Sequence, residues 1–296
     1  MGKRAIITLF GFLFILSGCQ TVQSISEKEI QKDDVFSTDV DKDKQEKEEQ
    51  DVVKEDAEQD NKKDRDTTVD SPVKKEDVEP KYRVSDNWSL QPLLEESNEK
   101  IVLLTIDDGP DKYSLEMAKT LKSLNAEAIF FVNGQFLTTD KGKEALRKIA
   151  EMGFEIGNHT YSHKALWWKE DGQRVEMPEE EQKEEIVRVN EMVAEITGEK
   201  PKYFRAPFGK NTDFSASFVK KQGMILMNWT YGYDWNKEYM NETAIADIMV
   251  NTKLLSNGAN LLMHDREWTA NALEEIVVGL REKEFEIADP SLIQMP

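Results

Sequence analysis

From Lys100 onward the chain alternates short apolar runs with amphipathic stretches, and this alternation admits few architectures. Strand-like runs lie at residues 101–106, 128–132, 154–157, 203–205, 224–229, 260–263 and 285–288. Helix-like stretches lie between them at residues 114–124, 142–152, 178–197, 214–222, 242–255 and 269–283. Strands alternating with helices predict a parallel sheet with right-handed crossovers. Seven strands in about 200 residues suit a small barrel better than a long open sheet. The expected fold class is therefore α/β, a distorted (β/α) barrel of about seven parallel strands, preceded by a disordered tether.

The first third has a different texture. A short basic start at Lys3-Arg4 leads into an apolar run at residues 5–16, then Ser17-Gly18-Cys19. The run is too short to cross about 30 Å of hydrocarbon, so residues 1–18 read as a secretory leader. Its end is similar to the bacterial lipobox, where the cysteine is lipidated and becomes the mature N-terminus. Cys19 is the only cysteine in the sequence, so no intramolecular disulfide can form. Between residues 20 and 98 there are 24 acidic and 13 basic side chains, with almost no apolar clusters. Such a segment buries too little apolar area to offset its chain entropy and extends by self-repulsion. A charged exposed helix over residues 41–66 is the alternative for part of it. The expected division is a leader at 1–18, a tether at 19–98 and a folded domain at 99–296. The formal net charge of −19 speaks against a nucleic-acid partner, because neutralising phosphates takes a basic patch.

The polar clusters of the domain each follow a strand-like run: Asp107-Asp108, His159 with His163, Arg205, Asp234 and His264. In a parallel α/β barrel those ends open on one face, so residues up to 157 positions apart converge. All three histidines of the chain lie in these clusters. His159 and His163 stand four residues apart, a step that places both rings on one face of a helical turn. With Asp108 they supply one carboxylate and two imidazoles, the ligand count of a catalytic zinc site. The blander alternative makes His159 a helix cap and His163 a surface packing residue. Asp107 then stands beside the metal as general base, or else as a turn carboxylate ahead of Gly109-Pro110. For His264, Asp265 is the poorer partner because adjacent strand residues point to opposite sides, and Asp234 is the better one. Arg205 is either a surface ion-pair residue or, at a strand end facing two aspartates, the group that fixes Asp107. Trp167-Trp168 reads equally as a sugar platform or as one buried and one partly exposed ring. The set is that of a metal-assisted hydrolase.

With these residues in place, residues 100–289 resemble the NodB-homology polysaccharide deacetylases, carbohydrate esterase family four. Thr105-Ile106-Asp107-Asp108-Gly109-Pro110 is similar to the first of five ordered motifs, with Ile106 in place of an aromatic residue. His159 to His163 match the second, Arg205-Ala206-Pro207-Phe208-Gly209 the third, Asp234-Trp235 the fourth and Leu262-Met263-His264 the fifth. The resemblance implies a divalent metal, Zn2+ before Co2+ or Ni2+, held by Asp108, His159 and His163, with Asp107 as base and His264 as acid. It further implies oxyanion support from the Phe208 backbone N–H, and Trp235 and Leu262 as walls of an acetyl pocket. Many members carry an acidic residue three positions before the Asp-Trp pair, and here that position is Tyr231. This departure puts the geometry of Arg205 in question.

The expected activity is hydrolysis of N-acetyl groups on GlcNAc or MurNAc units of peptidoglycan by an extracytoplasmic enzyme anchored to the membrane through Cys19. Chitin oligomers, a GlcNAc exopolysaccharide and acetylated xylan are alternative polymers. A wall-binding lipoprotein with a degenerate site is the alternative from another class.

Overall fold

The computed structural model describes residues 79–296. Its elements run β1 (Tyr82–Val84), β2 (Leu90–Pro92), β3 (Ile101–Gly109), α1 (Ser114–Ser123), β4 (Ile129–Val132), α2 (Asp140–Glu151), β5 (Glu155–Asn158), β6 (Trp167–Glu170), β7 (Gln173–Glu176) and α3 (Glu179–Thr197). They continue with β8 (Tyr203–Phe204), α4 (Asp213–Lys221), β9 (Ile225–Leu226), β10 (Tyr231–Gly232), α5 (Glu242–Asn251), β11 (Ala259–His264), α6 (Glu267–Glu282) and β12 (Glu286–Ile287).

Seven parallel strands pair in the order β10-β11-β3-β4-β5-β8-β9, and the two ends are not joined, so the sheet curls into an incompletely closed barrel. An eighth strand, β12, pairs in parallel with β3 at Ile101 and Val102, below the point where β4 joins it at Thr105. The sequence-predicted strand at 285–288 is thus present but lies off the main path. The six predicted helices are all found, with ends shifted by up to four residues.

The two-residue period of β3 explains how a site arises at its end. Val102, Leu104 and Ile106 pack outward against Met117 and Leu121 of α1 and Leu273 and Ile276 of α6. Ile101 and Leu103 face inward, with Ile129 and Phe131 of β4 and Tyr203 of β8. Thr105 and Asp107 continue the inward parity. In β11, Ala259, Leu261 and Met263 belong to the outer layer, which leaves Asn260, Leu262 and His264 on the inner parity. The register places Leu262 beside Thr105 and His264 beside Asp107. The inner face therefore turns from apolar to polar toward the C-terminal ends of these strands.

The expected tether boundary at residue 98 needs correction. Residues 82–92 form an antiparallel hairpin, and Leu90 is buried, its N–H donating to the Gly258 carbonyl at 2.7 Å. Gly258 has φ +74, and a Cβ there would meet the Leu90 carbonyl oxygen at 2.0 Å, so the close approach requires glycine. Tyr82 lies beside Ile293 in parallel, tying the hairpin to the C-terminal segment. Two three-residue strands inside a polar segment carry too little periodicity to be distinguished by sequence. The remainder of the expected tether, the leader and Cys19 lie outside the described residues. Among the described residues no helix is long and apolar enough to cross a membrane.

This packing predicts that Leu90→Ala destabilises the domain by about 2–5 kcal/mol, the cost of truncating a buried leucine. Denaturant melts of the full chain measure it. An unchanged midpoint would mean that the hairpin is an ornament on a domain starting near residue 99.

Candidate active site

The site is built from strand ends and the loops that leave them. Asp107 is buried, and its Oδ1 accepts from Arg205 Nη1 at 2.7 Å. Its Oδ2 lies 3.5 Å from His159 Nε2. Asp108, the next residue, leaves the strand parity through a left-handed backbone, φ 65. That turn brings Asp108 Oδ1 to 3.2 Å from His163 Nε2 and 3.8 Å from His159 Nε2. Non-glycine residues with positive φ are uncommon, and four of those described, Asp108, Thr160, His163 and Phe208, fall at this site. Backbone strain held there by surrounding contacts is a mark of a functional constellation.

His159 and His163 converge, but not on a helical turn as their spacing predicts. Residues 159–166 form no helix, and positive φ at Thr160 and His163 folds the loop back so that the two ring centroids stand 5.0 Å apart. The loop is braced from several elements. Asn133 Nδ2 donates to the His159 carbonyl at 2.6 Å, and Glu185 of α3 accepts from the Ser162 N–H at 2.8 Å and the Ser162 hydroxyl at 2.7 Å.

The three donors Asp108, His159 and His163 form the one candidate metal cluster among the described residues, with ligand atoms all within 4.8 Å of one another. Two observations fit them to a cation. Asp108 Oδ1 is buried without a hydrogen-bond partner among the described residues. His159 Nδ1 bonds to the Arg205 carbonyl at 2.8 Å; a carbonyl only accepts, so that nitrogen carries the proton and Nε2 presents its lone pair to the site. Burial, together with its neighbour His159, holds the His163 imidazole at about 4, neutral as a ligand must be. Burial by itself would raise the Asp108 carboxyl, but His264, His159, His163 and Arg266 bring it below the ordinary carboxylate value.

His264 has the opposite environment. Its Nδ1 meets Asp234 Oδ1 at 2.7 Å, and its backbone N–H donates to Asp234 Oδ2 at 2.6 Å. Thr269 adds a hydroxyl donor to Asp234 Oδ2 at 2.8 Å. Burial opposes charge on the ring, but Asp234 and, further off, Asp108 and Asp107 push it up to about 9. Asp265 points elsewhere, as strand alternation predicts: it accepts from the backbone N–H groups of residues 111–114 and from the Ser114 hydroxyl.

The question raised by Tyr231 has a clear outcome. Its hydroxyl donates to the Met249 carbonyl at 2.8 Å, away from the site. Arg205 is nonetheless held by Asp107, by Thr105 Oγ1 at 2.9 Å and by the Asn228 carbonyl at 2.8 Å. Arg205 Nε has no partner among the described residues.

Phe208 and Trp235 stand exposed on either side, the first 4.9 Å from the His163 ring and the second 5.4 Å from the His264 ring. Leu262 lies buried on the inner face of β11. Sequence reasoning missed Arg266, whose Nη2 donates to Asp108 Oδ2 at 2.9 Å and fixes the outer oxygen of that carboxylate. Its position directly after His264-Asp265 was the available signal. It missed Thr105, Asn228 and Thr269 as well.

The profile of the family described as polysaccharide deacetylase matches residues 95–227. A peptidoglycan-N-acetylglucosamine deacetylase of Bacillus cereus is 28% identical over 195 residues, covering 63% of this chain and 65% of the relative. The match thus spans somewhat less than two thirds of that protein's length. The solved structure of the Bc1960 peptidoglycan N-acetylglucosamine deacetylase is 26% identical with a TM-score of 0.58, covering 67% of this chain and 90% of that one. Residues 95–227 thus carry a polysaccharide deacetylase domain. The same fold is also found in a family-four pseudoenzyme of Bacillus anthracis, 23% identical with a TM-score of 0.56, covering 64% of this chain and 63% of that one. Fold similarity therefore does not decide catalysis in this deacetylase domain, and the side chains at the strand ends must.

The donor set predicts that the protein binds a divalent cation and, with Zn2+ as the probe, that Asp108→Ala and His163→Ala each weaken binding by more than the roughly 10–100-fold that follows loss of an outer-shell partner. Isothermal titration calorimetry reads this directly. Equal affinity in wild type and both variants would remove these residues as ligands.

Proposed function

We propose that the protein is a metal-dependent deacetylase that hydrolyses N-acetyl groups of GlcNAc or MurNAc units in peptidoglycan, releasing acetate and leaving a free amine. The observation that carries this reading is the pairing of Asp107 and His264 in register on adjacent strands, next to the Asp108, His159 and His163 donors. The family supports deacetylation of a polysaccharide, and the relatives named above support peptidoglycan as the polymer.

A divalent cation bound there supplies Lewis-acid chemistry, polarising the amide carbonyl and easing deprotonation of water. Asp107 takes the proton of the attacking water. Its Oδ1 is committed to Arg205, so Oδ2, the oxygen turned toward His159, is the accepting atom. Phe208 holds its backbone in a left-handed turn beside His163, where its N–H supports the carbonyl oxygen as it gains charge. His264 enters the reaction as the imidazolium and gives its proton to the departing amine. Its other ring nitrogen is fixed on Asp234, so the donating atom is Nε2. Trp235, edge-on to that ring, closes the side of the acetyl group together with Leu262.

The leader and the Leu16-Ser17-Gly18-Cys19 motif support a location outside the cytoplasm, with the domain tethered to the membrane through a lipidated Cys19. Cys19→Ala should release the protein from the membrane fraction, followed by fractionation and immunoblot; retention of the variant would sink the anchor.

Acetate release from purified peptidoglycan and from GlcNAc oligomers, measured with the zinc-loaded full chain, tests the activity. Asp107→Ala should lower kcat by at least the roughly 10²–10⁴-fold that a general base contributes, with the fold intact. Turnover from chitin oligomers or acetylated xylan but not from peptidoglycan would reassign the polymer. Bound metal with no acetate from any of them would favour a wall-binding protein.

The acid assignment fixes a pH dependence. His264 acts in its protonated form, so activity is present below its folded value and falls as pH rises through it. A bound cation repels the imidazolium and brings that alkaline limb down from about 9. Asp234→Asn removes the charge that stabilises the imidazolium, and the limb should move to lower pH. A pH profile of kcat/KM with an unmoved alkaline limb would disprove the role of Asp234.

A further inference from the structure

We propose that the cleft between the β6–β7 hairpin and the Phe208 turn is a second carbohydrate subsite, in which Trp168 stacks on a pyranose ring neighbouring the one that is deacetylated. The inference rests on the polysaccharide reading of the metal site and extends it along the polymer.

The hairpin is well braced. Its turn is Asp171-Gly172, both with positive φ, the two-residue combination that matches strand twist. Arg174 Nη2 donates to the Asn211 carbonyl at 3.2 Å, and the Met177 N–H donates to the Leu166 carbonyl at 2.9 Å. Successive residues of β6 point to opposite faces. Trp167 is covered by cations, with Arg174 at 4.5 Å and Lys210 at 5.2 Å from its ring. Trp168 on the other face remains 39% exposed. Lys210 also lies 5.7 Å from the Phe208 ring, so a single side chain links the hairpin to the turn at the catalytic site.

Trp168 and Phe208 wall an open cleft of about 410 Å³, within the ordinary size range of small-ligand sites. Met177 contributes an apolar surface, and His163 lines the cleft as well, which makes it continuous with the metal donors. The polar groups at its mouth are Lys164 and Glu181, an ion pair at 3.8 Å with both partners exposed. Their charges balance, so the cleft favours neither an anion nor a cation. An aromatic face flanked by one donor group and one acceptor group suits a neutral ring with C–H faces and hydroxyl edges, the chemistry of a hexopyranose. Because the cleft opens onto His163, the ring that fills it belongs to the same glycan strand as the ring at the metal site.

The test uses the zinc-loaded full chain and GlcNAc oligomers from two to six units. Wild type should show KM falling with chain length. Trp168→Ala should raise KM for the longer oligomers about tenfold, the scale of one aromatic contact, with kcat and zinc affinity unchanged. Trp168→Phe should restore most of the loss. Equal slowing of all lengths, or a wild-type KM indifferent to length, would overturn the subsite. If wild type releases no acetate from any oligomer, the deacetylase reading fails, and calorimetric binding of the hexamer decides the subsite by itself. Tight binding lost in Trp168→Ala keeps it, and binding indifferent to Trp168 removes it. Weakened binding of a wall stem peptide, with oligomer binding unaffected, would assign the cleft to peptide and overturn the proposal.

Discussion

Arg205 brings a full positive charge to a position with no solvent exposure, and the order of the site depends on how that charge is satisfied. Desolvating a guanidinium costs several kcal/mol, so it persists only with a close anion and further acceptors. Asp107 is the anion; Thr105 and the Asn228 carbonyl are the further acceptors, and the Phe131 ring lies 4.3 Å beneath. These partners come from β3, from β4 and from the segment after β9, so one side chain spans the mouth of the barrel. The same residue acts a second time through its backbone, where its carbonyl binds His159 Nδ1 and so sets the tautomer of a metal donor. The proposed base and a proposed metal donor are therefore oriented by one buried cation. Tyr231 is turned toward Met249 and takes no part in this, and the bonds to Asp107, Thr105 and the Asn228 carbonyl fix the plane of the group although Nε has no partner among the described residues.

His163 and His264 share one intrinsic chemistry but end in different states because their surroundings differ. His163 is held near 4 by burial and by the neighbouring His159 ring, whereas His264 is raised to about 9 by a carboxylate that contacts both its ring and its backbone. A neutral imidazole offers a lone pair and an imidazolium offers a proton. Asp234 thus sets His264, the proposed acid, apart from His163, a proposed ligand. Asp234 is itself buried; burial would raise its carboxyl, but the bonds from His264 and Thr269 lower it, so the anion is stable where it is needed.

Much of this was legible in the sequence because the signals are local. The apolar runs at 101–106 and 260–263 mark the strands, and the short motifs at their ends mark the candidate donors. What was not legible depends on contacts between distant segments. Arg266 reaches Asp108 across 158 residues, and no periodicity records that. The helical turn expected for His159 and His163 failed because loop bonds from Asn133 and Glu185 stabilise left-handed backbone at Thr160 and His163, overriding spacing. The β1–β2 hairpin was missed because strands of three residues carry little pattern, although Leu90 is as buried as a core residue. The β6–β7 hairpin did carry a signal, since Asp171-Gly172 between residues of strand propensity marks a two-residue turn.

The incomplete barrel has a functional consequence of its own. A closed parallel barrel surrounds its site with loops of similar height, whereas here β9 and β10 end the sheet without pairing to each other. A site at the strand ends of an open sheet can receive a chain that passes through rather than a small molecule that enters and leaves by one mouth. For such a substrate, recognition must be spread along a groove, and the exposed aromatic rings follow that requirement. Phe208 and Trp235 flank the donors, and Trp168 stands further out on a braced hairpin. Large exposed rings near a site are costly to leave in water, and on the proposed reading a sugar face covers them. The pseudoenzyme with the same fold makes the complementary point: the barrel belongs to the architecture, so the proposed hydrolysis has to rest on the side chains that Arg205 and Asp234 hold at the strand ends.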